Sequence, residues 1–218
     1  MRQNMSEDQK SIFDSIYTQV RSGFYSIEDI QTSIIEEIED NGCADEVPEE
    51  WAFEQIDKVY EELVQESTSW PTPTYTQRLV AAFDELAESK MIALHFPGYE
   101  HEDGEYEAEE VERTLIDNDT KSEGYCFYTG HDLDKAIKGE GLSIHFQKLN
   151  NVSDTVSKEV ANKIIEVLKK HGLEIEWNNK ANTPISLPNF TWQKVYNEDD
   201  RDLLNYNHVI EMILEYHK

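Results

Sequence analysis

Apolar positions recur at helical spacing through the first 70 residues. Ile12, Phe13, Ile16, Tyr17 and Val20 share one face, and Gly23 ends that helix. Ser26 opens a second, with Asp29 three residues on as in a capping box. Ile27, Ile30, Ile34, Ile35 and Ile38 form its stripe, and Asn41-Gly42 breaks it. Pro48 suits the start of a third, whose Phe53, Ile56, Val59, Tyr60, Leu63 and Val64 turn inward. Trp70-Pro71-Thr72-Pro73 reads as a stiff linker, since neither proline continues a helix. A fourth helix is expected over residues 75–88, with Leu79, Val80, Phe83 and Leu86 on one face.

Met91 to Phe96 reads as a strand ended by Pro97-Gly98, and part of the stretch beyond it, near Ala108 to Ile116, as helical. After Gly124 the period changes. Tyr125 to Thr129 reads as a strand and His131 to Ile137 as a short helix. Leu142, Ile144 and Phe146 then alternate with Ser143, His145 and Gln147, the pattern of a strand with one buried face. Ser157 to His171 is amphipathic, with Val160, Ile164, Ile165 and Leu168 inward and Lys169, Lys170 and His171 in its last turn before Gly172. Leu173, Ile175 and Trp177 alternate next, Phe190 to Tyr196 reads as one more strand, and residues 201–216 as a last helix with Leu203, Tyr206, Ile210, Ile213 and Leu214 inward.

This pattern predicts an α+β fold. A helical acidic N-terminal segment, residues 1–70, precedes an α+β domain, residues 71–218. In that domain a small sheet packs with helices, contains a strand–helix–strand unit over 141–177, and is followed by a C-terminal helix. Ile144, Phe146, Ile164, Leu168, Ile175 and Trp177 should be buried together there.

Charge changes the picture more than any motif. The 218 residues carry a formal net charge of -27. The first 123 residues hold 32 acids and 8 bases, a net of -24, and the remainder a net of -3. From Ser26 to Glu66 there are 15 acids and one base, Lys58. A second run, Glu100 to Glu123, has 11 acids against Arg113 and Lys121. Such a chain is repelled by nucleic acid and by anionic membranes and attracted to basic proteins. No stretch approaches the ~20 apolar residues of a membrane span. Met1 to Lys10 is polar, without the apolar run of a secretory signal. Only two cysteines are present, Cys43 and Cys126, so no disulfide framework is implied. The expected location is the cytoplasm.

The ordered set Gly124-Tyr-Cys-Phe-Tyr-Thr-Gly-His-Asp-Leu-Asp-Lys-Ala-Ile137, Gly141-Leu-Ser-Ile-His-Phe146, Val167-Leu-Lys-Lys-His-Gly-Leu-Glu-Ile-Glu-Trp177 and Phe190-Thr-Trp-Gln193 resembles an uncharacterised bacterial family, a domain of unknown function. The likeness spans roughly residues 75–196 and leaves the acidic helical segment outside. Members of that family often carry a small cysteine cluster just after the strand at 91–96, where this chain reads Phe96-Pro-Gly-Tyr-Glu-His101. The resemblance implies the fold and a bacterial cytoplasm, and supplies no activity.

Candidate chemistry is sparse. His95, His101, Glu102, Asp103 and Glu105 offer imidazole and carboxylate donors, but their spacing matches no established metal site and a solvated acidic turn accounts for them. Cys126 sits between aromatics in an acidic chain, the setting of a buried structural thiol rather than a nucleophile paired with His131 or His145. His131 and Asp132 follow a strand, where Asp132 can orient His131 as a general base or simply start a helix. His131, Asp132 and His145 thus form the alternative ligand or catalytic set, that of an enzyme or small-ligand protein. There is no phosphate loop, no Gly-x-Ser-x-Gly and no His-Glu-x-x-His.

Neither a cofactor nor a metal is implied, and an enzyme is not expected. The leading expectation is a binding protein, an immunity or inhibitor protein that neutralises a basic bacterial toxin such as a nuclease. Its recognising carboxylates would be Glu36, Glu37, Glu39, Asp40, Glu49, Glu50, Glu54, Glu61 and Glu62. A housekeeping domain whose charge only aids solubility is the third reading.

Overall fold

In the computed structural model, which describes residues 5–216, the chain forms two compact units. One comprises the chain up to Thr72 together with Gln193–Asp202; the other comprises Pro73–Trp192 and the chain from Leu203 onward. The start of the polar stretch at Met1, residues 1–4, lies outside the described residues.

The first unit is built on three helices, α1 (Glu7–Ser22), α2 (Ile27–Asp40) and α3 (Glu49–Ser67). Ser6 and Ser26 cap α1 and α2 through reciprocal bonds with Gln9 and Asp29, each pair satisfying two backbone donors at a helix start. Pro48 is the N-cap of α3. The apolar stripes meet in one core of Ile12, Ile16, Val20, Ile30, Ile34, Ile38, Ala52, Ile56, Val59 and Leu63, closed by Cys43 and Val47. Val64, expected inward, is exposed, because Leu63 already takes the core position one residue earlier. Gly23 adopts φ 65°, and a Cβ there would stand 2.7 Å from the Lys194 carbonyl, so the residue answers both a left-handed cap and a close backbone approach.

The second unit is an α+β layer arrangement around a four-stranded sheet of order β1-β2-β3-β4. In chain order it contains α4 (Tyr75–Glu88), β1 (Met91–Leu94), α5 (His101–Asp117), β2 (Gly124–Phe127), α6 (Gly130–Ile137), β3 (Leu142–Gln147), α7 (Asp154–Lys170), β4 (Ile185–Leu187) and α8 (Asn207–Glu215). β1 and β2 are parallel, with α5 as their crossover; β3 is antiparallel to both β2 and β4. Phe127 opposes His145 and Cys126 opposes Phe146, so His145 shares a sheet face with Phe127, while Cys126 and Phe146 lie on the other.

Two expected strands do not form as ladders. Of residues 173–177, only Glu176 pairs, exchanging both backbone bonds with Ser186; β4 takes the place beside β3 instead. Ile144, Phe146, Ile164 and Leu168 are buried together with Leu173, while Ile175 and Trp177 are half-buried, Trp177 meeting Phe146 edge-on at 5.7 Å. The alternation at Phe190 and Trp192 reflects burial without pairing: the Trp192 N–H donates to the Ala136 carbonyl at the end of α6, and Gln193–Asp202 belongs to the first unit. The last helix begins at Asn207 rather than 201 and buries Ile213, with its other apolar residues half-covered. α5 is longer than expected, starting at His101 where the Glu100 N–H donates to Asp103.

Candidate functional site

Two features carry chemistry, one in each unit. On the first unit, Glu36, Glu39, Asp40, Glu49, Glu50, Glu54, Glu61 and Glu62 are exposed on α2 and α3, and Glu37 is half-buried. These positions lie between the isoleucine and leucine stripes that face the core, so helical periodicity alone sends them outward. Glu37 accepts a hydrogen bond from Ser15, and Glu54 lies 3.8 Å from Lys58. Glu36, Glu39, Asp40, Glu49, Glu50 and Glu61 have no ion pair among the described residues. α2 holds Glu37, Glu39 and Asp40 in its last turn, with no base there. A carboxylate at that end opposes the helix dipole, at a cost of about 0.3–1 kcal/mol each for exposed groups.

On the second unit, Thr129 caps α6, and the Asp132 carboxylate returns to the Thr129 N–H at 3.0 Å and accepts its hydroxyl at 2.7 Å. The same oxygen, Oδ2, accepts Nε2 of His145 at 3.0 Å. Asp132 is only 5% exposed. Burial pushes its carboxyl upward, but the bonds from His145 and Thr129 outweigh this and hold it below the usual aspartate value. Because a carboxylate only accepts, Nε2 of His145 is the donor of this bond. The imidazole is stacked on Phe127, 5.6 Å between ring centres, and flanked by His101 at 4.8 Å.

His145, His101, Glu105 and Tyr125 line a cleft of about 220 Å³, with residues 181–184 also in its lining. Glu105 accepts the Tyr125 hydroxyl at 3.2 Å and lies 3.4 Å from His101 Nε2. Burial, then the Glu105 charge, pushes the Tyr125 phenol well up, so it stays a donor. Gly104 makes the wall possible: a Cβ there would stand within 2.5 Å of the Phe127 ring, so only glycine lets α5 lie this close to β2.

The structure divides the residues that the sequence singles out. Asp132 and His145 meet, whereas His131 turns away: its Nε2 bonds Glu100 at 3.1 Å, its ring lies 4.3 Å from that of Tyr99, and it is exposed. Asp132 therefore orients His145, not His131. The acidic stretch considered as a metal-binding turn is the first two turns of α5, and His95 is elsewhere, buried against Phe83 and Tyr128. Among the described residues no group of three or more His, Cys, Asp or Glu could hold a metal ion. Cys126 is wholly buried, which raises its thiol well above the usual range, so it is no thiolate nucleophile. Tyr125 and Asn182 carry no signal in the sequence; they enter the cleft through strand register and loop closure, for which no local motif stands.

The chain is an α+β protein of two compact units, one helical and one built on the sheet. The chain belongs to the family described as Domain of unknown function (DUF6891), whose model matches residues 5–196. The match begins at the start of the three-helix unit, so the family takes in that unit as well as the 75–196 stretch that carries the resemblance. No curated protein and no solved structure matches the chain. Among the described residues no helix is long and apolar enough to cross a membrane.

Proposed function

We propose that this chain is a cytoplasmic binding protein that neutralises a basic protein, a bacterial toxin such as a nuclease, by protein–protein contact through the carboxylates of α2 and α3. The observation that carries the reading is the row of unneutralised acids at the end of α2. Stability disfavours acids in a helix's last turn, and no base relieves them there. A folded helix also holds carboxylates at fixed spacing, so a rigid acidic face can imitate a phosphate backbone or block a basic cleft. Long-range attraction then raises the association rate by ~10- to 1,000-fold and discriminates against acidic partners.

The test uses the product of the gene immediately upstream, where that product is basic and toxic on expression. Co-expression of this chain should restore growth. Association should slow steeply as salt rises from ~0.1 M to ~1 M, where the Debye length falls from ~10 Å to ~3 Å. The combined Glu36→Lys, Glu50→Lys and Glu61→Lys variant should associate at least roughly tenfold more slowly, with dissociation little changed. A rate flat with salt and unmoved by the reversals would overturn the proposal.

A further inference from the structure

We propose that the cleft between α5, the β2–β3 strands and residues 181–184 is a binding site for a guanidinium group. This stands independently of the acidic face, since every residue of the cleft belongs to the second unit. Size comes first. At about 220 Å³ the cleft is smaller than the ~300–1,000 Å³ that encloses drug-sized ligands, and it suits one side-chain-sized group.

The hydrogen-bonding complement comes second. His145 Nε2 is committed to Asp132, which fixes the imidazole ring beside the cleft. Glu105 brings a half-exposed carboxylate, and the Tyr125 hydroxyl is already turned to that carboxylate. Glu105 is the one Asp, Glu, Lys or Arg side chain in the lining, so the cleft favours an occupant that is cationic and donates to that carboxylate. An anion would meet the Glu105 charge with no lysine or arginine in the cleft lining.

The walls decide between cations. His101, Tyr125 and His145 place rings in the lining, and a planar guanidinium stacks on aromatic rings while its fork of donors matches the two oxygens of a carboxylate. An ammonium is a point charge that would pair with Glu105 but gain less from the rings. The site is also built rather than improvised. Asp132 locks His145, Gly104 seats α5 on Phe127, and the Trp177 indole N–H donates to the Thr183 carbonyl at 3.0 Å, holding the loop that lines the cleft.

The guanidinium can come from a free small molecule or from an arginine of another protein. The test is an NMR titration of the full chain with N-acetyl-arginine methylamide, free arginine, N-acetyl-lysine methylamide and the neutral isostere N-acetyl-citrulline methylamide. Saturable shifts at His101, Tyr125 and His145 are expected with the arginine compounds, with lysine weaker and citrulline silent. Glu105→Gln should weaken arginine binding roughly tenfold, the loss of one charge-assisted contact. Tighter binding of free arginine would assign a small-molecule source, and tighter binding of the blocked compound a protein-borne one; both support the site. Citrulline or lysine binding as well as arginine, or no saturable shift at these rings, would overturn it. The ligand comparison uses the unaltered chain, so its outcome does not depend on how any variant folds.

Discussion

Asp132→Ala tests how much of the second unit depends on one carboxylate. The oxygen it removes accepts three bonds, from the Thr129 N–H, the Thr129 hydroxyl and His145 Nε2, at 3.0, 2.7 and 3.0 Å. The Thr129 cap itself stays in place, since its hydroxyl still accepts the backbone N–H of residue 132. Losing a hydrogen bond to a charged group costs ~1.5–3 kcal/mol. Asp132 is 5% exposed, so solvent screens little of this, and the substitution should destabilise the unit by about 2–4 kcal/mol. Asp132→Asn keeps an acceptor and loses the charge, so it should cost about half as much. Amide exchange at β2 and β3 reads the second unit alone, which matters because a two-unit chain need not unfold in one step. The pH dependence has a definite sign. The folded carboxyl titrates below its unfolded value, so its contribution is complete above the ordinary aspartate value of about 3.9 and fades as pH falls toward the lower folded value. The gap between wild type and Asp132→Asn should therefore hold above that value and close below it. An Asp132→Ala variant with unchanged exchange at β3, or a gap that widens as pH falls, would refute the reasoning.

Gly104→Ala should cost about 1–3 kcal/mol by pushing α5 off the Phe127 ring, and combining it with Phe127→Leu should cost less than the two changes separately; strict additivity in urea unfolding would show that the contact does not matter. Glu39→Gln with Asp40→Asn should leave the first unit as stable or raise its melting temperature, because both acids oppose the dipole at the end of α2. A fall in melting temperature would mean that these carboxylates serve the fold.

Helices of the first unit are legible because each carries its own stripe and its own start signal: the Ser26 box with Asp29 can be read locally and is present as read. The α+β class follows from the change of period after Gly124. What local pattern cannot supply is partnership. Leu173, Ile175 and Trp177 alternate as a strand does, yet this segment meets the sheet only at its edge strand β4, where Glu176 alone pairs, with Ser186. The start of α5 is hidden because its first turns are nearly all polar. The Glu100–Asp103 spacing, three residues from cap to partner, is the available signal. His145 and Asp132 stand 13 residues apart, and only the antiparallel register of β3 against β2 brings them together.

The two acid runs look alike in composition and differ once their partners are known. In the second, Asp103 accepts the Glu100 N–H, Glu105 holds Tyr125, Glu112 accepts the Ser122 N–H, Glu110 pairs with Arg113, and Glu100 and Glu123 meet His131 and Lys163. Much of that run is occupied in capping α5, bracing the cleft and tying down the loop beyond it. In the first run, Asp29 caps α2 and Glu66 pairs with Arg21, but the acids from Glu36 to Glu61 are mostly outward and unpaired. Solubility alone needs charge in quantity, not charge gathered at the end of a helix where it opposes the dipole. The partner-binding proposal therefore rests on α2 and α3, because the acids of α5 are largely engaged within their own unit.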